Sequence, residues 1–141
     1  MINSAEEFMR LRSSQIKLEY DRSALEEVPI EVWYELVNDH PDYRQWVIHN
    51  KIVPLEILEY LYKIYSSLKL HIARKRKLSV ELFERLSDDP DRYVRSIIAI
   101  NRKTPLPLLE RLMRDKVKDV AKSARRSHAE RTKPAAPANN A

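Results

Sequence analysis

The sequence predicts an all-α protein, a stacked α-solenoid of about five 25-residue helix pairs. Three observations predict it. First, one short pattern recurs down the chain, starting at Ser4, Pro29, Pro54, Ser79 and Pro105. The five segments read SAEEFMRL, PIEVWYEL, PLEILEYL, SVELFERL and PLPLLERL. Second, the apolar positions hold their place in every copy. The fifth residue is large and apolar (Phe8, Trp33, Leu58, Phe83, Leu109), and the eighth is always leucine (Leu11, Leu36, Leu61, Leu86, Leu112). A fixed period in the twenties marks a repeat array whose units bury their apolar faces against neighbours. Third, no stretch sustains the apolar–polar alternation of a strand.

Each first helix begins at its Pro or Ser. Proline suits the first helical position because its missing N–H has no partner there anyway. An acid two residues later (Glu6, Glu31, Glu56, Glu81) faces the positive end of the helix dipole. Apolar residues then follow at helical spacing, as in Ile30, Val32, Trp33 and Leu36. In the first copy, residues 13–27 (SSQIKLEYDRSALEE) leave the register and are expected to form the irregular half of a capping unit over 1–28. In later copies a turn leads into a second helix, spelled NDHPD at 38–42 and DDPD at 88–91. The second helices align Tyr43, Leu68 and Val94, then Trp46, His71 and Ile97, then Val47, Ile72 and Ile98. Those positions lie at i, i+3 and i+4 on one face. The third copy has YKIYSSL (Tyr62–Leu68) where the others have Asp-Pro, so a continuous and a kinked helix both remain open there. The last second helix carries Val120 and Ala124. One repeat domain is therefore drawn over 1–128, and 129–141, which ends RTKPAAPANNA, as a disordered tail.

Composition narrows the chemistry. The 141 residues include no glycine and no cysteine. Glycine-dependent phosphate loops and nucleophile elbows are excluded, as are disulfides, thiolate metal sites and cysteine nucleophiles. The opening MINSAEEFMRLRSS lacks a secretory layout, and no apolar run approaches the ~18 residues of a membrane span, so a cytoplasmic protein without membrane contact is expected. Net charge is +5. It is uneven: residues 1–42 carry four Lys/Arg against ten Asp/Glu, whereas 43–141 carry 22 against 11. Such polarity suits a partner of defined sign.

The fourth and fifth copies carry a resemblance. DPDRYVRSIIAINRKTPLPLLERL resembles a unit of the variant leucine-rich repeat, a HEAT-like bacterial repeat. The matching elements are Asp89-Pro90-Asp91, Val94-Arg95, Ala99, Asn101, Thr104-Pro105 and Leu108-Leu109-Leu112. The likeness is clear over about 28–124 and weak over 4–27. It implies a right-handed α-solenoid and no catalysis. Some short repeat proteins of this kind are thought to be immunity partners of secreted toxins, and that inference is analogy alone. The cysteine-ligated cluster of some members cannot be carried over.

The candidate binding residues close the second helices: Lys51, then Arg74, Lys75, Arg76 and Lys77, then Arg102 and Lys103. His49, Asn50 and Arg125-Arg126 belong to the same segments. In a solenoid these would stack into a basic stripe, with Arg44, Lys69 and Arg95 as a parallel row. Phosphates or a carboxylate-rich protein surface would fit it. The plain alternative is that cations near helix C-termini merely complement the dipole. The 74–77 cluster resists that view, since no acid lies between Lys63 and Glu81. Asn50 and Asn101, which match in register, are expected to be buried and structural. Trp33 is expected in the core. Trp46 lies nearer an edge and reads first as core, second as a contact aromatic.

The histidines (His40, His49, His71, His128) lack metal-ligand spacing, and no carboxylate pair has a sequence-level reason for a shifted pKa. No catalytic residue, metal or cofactor is assigned. The expected function is a non-catalytic protein-binding module, an immunity or adaptor protein that meets an acidic partner through the basic stripe. The alternative is a nucleic-acid-binding HEAT-like protein. The aromatic platforms that single strands require are missing, and the acidic N-terminal region would repel a long duplex.

Overall fold

The computed structural model describes residues 1–135. Those residues form ten α-helices and two short 3-10 turns, with no strand among them. The chain groups into two compact units, Met1–Lys75 and a second beginning at Arg76.

The first unit holds α1 (Ala5–Ser13), α2 (Lys17–Leu25), α3 (Ile30–Asp39), α4 (Arg44–His49), α5 (Leu55–Ile64) and α6 (Lys69–Ala73). The first helices of successive copies pack on one another, α1 on α3 and α3 on α5. The second helices do likewise, α2 on α4 and α4 on α6. The second unit holds α7 (Val80–Ser87), α8 (Arg92–Ile100), α9 (Leu106–Leu112) and α10 (Lys118–Arg131). Here α7 packs on α8 and α9, and α10 packs on both α8 and α9.

The helix starts follow local chemistry. Ser4 Oγ accepts the Glu7 N–H at 3.1 Å, and Glu7 accepts the Asn3 N–H in return. Ser79 Oγ accepts the Leu82 N–H at 3.1 Å, and the Asp91 carboxylate accepts the Tyr93 N–H at 2.8 Å. These bonds satisfy donors that the helix itself leaves open. Pro29, Pro54 and Pro105 stand one residue earlier than expected, at the N-cap rather than the first helical position. Their ring holds φ between −54° and −62°, while their carbonyls accept the first N–H groups of the helix.

The register residues are buried as expected. Phe8, Trp33, Leu58, Phe83 and Leu109 are at most 3% exposed, and all five eighth-position leucines are buried. In the first unit Phe8 meets Trp33 edge-on, with ring centroids 5.7 Å apart. Full burial of each such side chain contributes roughly 1.5–3 kcal/mol, which makes this stripe the main stabilising feature of each helix pair.

Three elements differ from, or settle, the sequence reading. Residues 17–25 are regular helix rather than irregular. Ser14 Oγ accepts the Ile16 N–H just before it, and Lys17–Asp21 and Arg22–Glu26 add ion pairs at i, i+4 within it. At Tyr62–Leu68 the helix breaks. α5 ends at Ile64, Tyr65 leaves helical geometry at φ −122°, ψ 83°, and a 3-10 turn over Ser66–Leu68 leads into α6. His40 does the same in the preceding copy at φ −130°, ψ 74°, before the turn Pro41–Tyr43. One turn geometry is thus reached with and without proline. Finally, α10 runs to Arg131, three residues into the segment drawn as a tail; positions 136–141 of that segment lie outside the described residues.

Candidate functional site: two cationic grooves

Lys51, Arg74, Arg76, Lys77, Arg102 and Lys103 are exposed, and none of them makes an ion pair among the described residues. Some cations elsewhere are matched: Arg10 with Glu19, Lys17 with Asp21, Arg22 with Glu7 and Glu26, Arg111 with Asp88. Lys63, Arg85, Arg114, Lys116, Lys118 and Lys122 are likewise exposed without an ion pair among the described residues. The ends of the second helices thus carry one group of unmatched cations among several, with Arg74, Arg76 and Lys77 the densest run in that group.

Lys75 differs from its neighbours. It is half-buried, and its Nζ donates to the Asn50 carbonyl at 2.9 Å. Asn50 is fully buried and ties the α4 end to the α2 end. Its Nδ2 donates to the Ser23 carbonyl at 2.9 Å and the Glu26 carbonyl at 3.1 Å, and its Oδ1 accepts the Ile52 N–H at 2.9 Å. Asn101 repeats the last contact, accepting the Lys103 N–H at 2.9 Å. Both asparagines hold the turn that presents the cations.

In the first unit a groove of about 350 Å³ opens between α4 and α6. It is lined by Gln45, Trp46 and His49 from one helix, and by His71, Arg74 and Lys75 from and after the other. Trp46 is half-buried rather than core, and the Arg12 guanidinium lies 3.8 Å from its ring centroid. The His49 ring meets the indole edge-on at 5.7 Å. Burial, then the charges of Arg12, Lys75 and Lys51, hold the His49 pKa below the ordinary imidazole value.

In the second unit a corresponding groove of about 540 Å³ opens between α8 and α10. Asn101 and Arg102 line one side, and Arg126, Ser127, Glu130 and Arg131 the other. The Arg131 guanidinium also donates to the Thr104 carbonyl. The proposed binding residues thus divide by location. Arg74, Lys75 and Arg102 line grooves, whereas Lys51, Arg76, Lys77 and Lys103 line neither of these two.

The parallel row expected from Arg44, Lys69 and Arg95 makes contacts within the fold. Arg95 is buried: its Nε and Nη2 meet both oxygens of Asp115 at 2.8 and 3.2 Å, and its Nη1 donates to the Asp89 and Pro90 carbonyls. Arg44 Nε donates to the Val37 carbonyl at 2.6 Å, and its guanidinium lies 3.6 Å from the Tyr65 ring centroid. Lys69 stands over Tyr62 at 5.5 Å. These side chains brace the inter-helix turns.

The sequence singled out the groove cations but not the groove. Gln45 and His71 join the lining through packing of α4 and α6, and Arg12 reaches the site only by stacking on Trp46; His49 already belonged to the segments singled out in sequence. The aligned Trp46–His71 register was the one signal that could have found it. Among the described residues no three His, Asp or Glu side chains come together as a metal-ligand group, and no helix is long and apolar enough to cross a membrane. Compared with protein-family models, curated proteins and solved structures, the chain matches none.

Proposed function

We propose that this chain is a non-catalytic binding module of the variant leucine-rich, HEAT-like kind, a right-handed α-solenoid that works in the cytoplasm. Its partner is a protein with an acidic surface, in an adaptor or immunity role. The observation that carries this reading is the grouping of exposed, unmatched cations at the ends of second helices in both units. Two further features support it. First helices pack on first helices within each unit, as a repeat array requires. Buried asparagines and Lys75 fix the turns that carry the cations, so the charges are presented on a rigid frame. Surface charges contribute little to folding but strongly to encounter and specificity.

The test is affinity capture with wild type beside an Arg74→Glu, Arg76→Glu, Lys77→Glu variant. One protein held by wild type at about 200 mM salt, and lost by the variant with its melting unchanged, is the expected result. Tight retention of nucleic acid at about 50 mM salt, with no protein partner, would overturn it in favour of the nucleic-acid reading.

A further inference from the structure

We propose that the α4–α6 groove of the first unit is a binding site for a small soluble phosphate monoester. The inference goes beyond the protein-partner reading and does not rest on it; the two share only Arg74 and Lys75.

The lining carries the argument. Gln45, His49, His71, Arg74 and Lys75 all present nitrogen donors, and no carboxylate lines the groove. The matching groove in the second unit includes Glu130. Charge is reinforced from behind: Arg12 lies on the Trp46 ring, and the charges of Arg12, Lys51 and Lys75 all reach His49. Arg74 and His49 are exposed and Lys75 and His71 half-buried, so the groove gathers like charge that a dianion offsets.

Charge and acceptor number favour phosphate over carboxylate. The donors stand on two walls, one from α4 and one from and after α6. A phosphate monoester carries about −1.5 to −2 charge at neutral pH and three strong acceptor oxygens, whereas a carboxylate carries one charge and two oxygens. The volume, about 350 Å³, exceeds what the anion alone would fill and falls at the small end of ligand pockets, ~300–1,000 Å³. Trp46 supplies an apolar wall for the remainder of the molecule. The site is also preorganised. Lys75 is held by Asn50, whose amide is itself anchored on two carbonyls.

The experiment is an NMR titration of the full chain with inorganic phosphate at fixed ionic strength, repeated with ribose 5-phosphate and with acetate. Saturable shifts centred on the Trp46 indole and the His49 and His71 rings are expected, together with a rise in the His49 pKa. The charged groups named above as reaching His49, Arg12, Lys51 and Lys75, are all positive, so only the anion would drive that rise. Ribose 5-phosphate should bind at least as well as phosphate. Arg74→Ala should weaken binding at least tenfold, with His71→Gln as an independent second probe. Arg111→Ala, which breaks only the exposed pair with Asp88 in the second unit, should leave it unchanged. Equal saturation by acetate, shifts spread over all surface cations without saturation, or binding to phosphatidate vesicles but to no soluble phosphate would each overturn the proposal. Loss of protein-partner binding with phosphate binding intact would leave it standing.

Discussion

At the residue scale, Arg95 joins two turns of the second unit through one buried guanidinium. Both it and Asp115 are 8% exposed, and the guanidinium also binds the two carbonyls of the Asp89-Pro90 turn. Removing one partner of a buried pair leaves an uncompensated charge, so Arg95→Ala should cost about 3–5 kcal/mol in chemical denaturation. Burial alone would raise the Asp115 pKa, but the Arg95 donors and the Val117 N–H outweigh it and hold the carboxyl below its ordinary value. A depressed carboxylate contributes stability above the unfolded pKa, near ~3.9, and loses it as pH falls through the lower folded value. Wild type and Asp115→Asn should therefore differ clearly at neutral pH and converge in strong acid. A difference that stayed constant down the acid limb would show that the ion pair is not the cause. None of this was legible in sequence. Arg95 aligned with Arg44 and Lys69 and looked like one more surface cation, because its partner lies 20 residues downstream and no local pattern announces it.

At the scale of the element, the helix pair is where the sequence spoke most clearly. The fifth and eighth positions predicted the buried stripe of every first helix, since a period of 3.6 leaves no other face for them. Leu86 shows what that stripe supports. It is fully buried in α7, which packs on both α8 and α9. Leu86→Ala should lose roughly 2–5 kcal/mol by the cavity it leaves, read as a lower melting temperature, with amide exchange accelerated across α7, α8 and α9. Melting equal to wild type would mean that the core collapses around the gap. What the sequence could not show was the break at Tyr65. The turn there depends on backbone geometry shared with His40, and YKIYSSL contains no proline or Asp-Pro to mark it. The break is braced instead by aromatic contacts: the Tyr65 and Tyr60 hydroxyls both donate to Asn38 Oδ1, and Arg44 lies on the Tyr65 ring. The α4–α6 groove escaped detection for a related reason. Its lining comes from two helices whose meeting is a packing outcome, so a residue-by-residue reading marked His49, Arg74 and Lys75 without joining them into one groove.

For the molecule as a whole, the decisive property is how its charge is distributed. Residues 1–42 are net acidic and 43–141 strongly basic, while the acidic segment matches several of its own cations in ion pairs. If the unmatched cations form the proposed partner surface, the salt dependence of binding identifies the partner class. A folded acidic protein meets a few fixed charges. Screening then acts on long-range attraction, because the Debye length falls from about 14 to about 7 Å between ~50 and ~200 mM salt. The association rate should fall over that range while the dissociation rate holds nearly constant, since short-range contacts keep the complex together once formed. Nucleic acid behaves differently. Each phosphate neutralised releases condensed counterions, so affinity itself would drop by orders of magnitude over the same range. Surface-plasmon kinetics at the two salt concentrations separate these cases directly. A slowed association with a steady dissociation is the expected outcome for wild type, and the Arg74→Glu, Arg76→Glu, Lys77→Glu variant should show no measurable association at either concentration. A variant that still associates at the wild-type rate would place the partner surface elsewhere on the chain, whatever the salt.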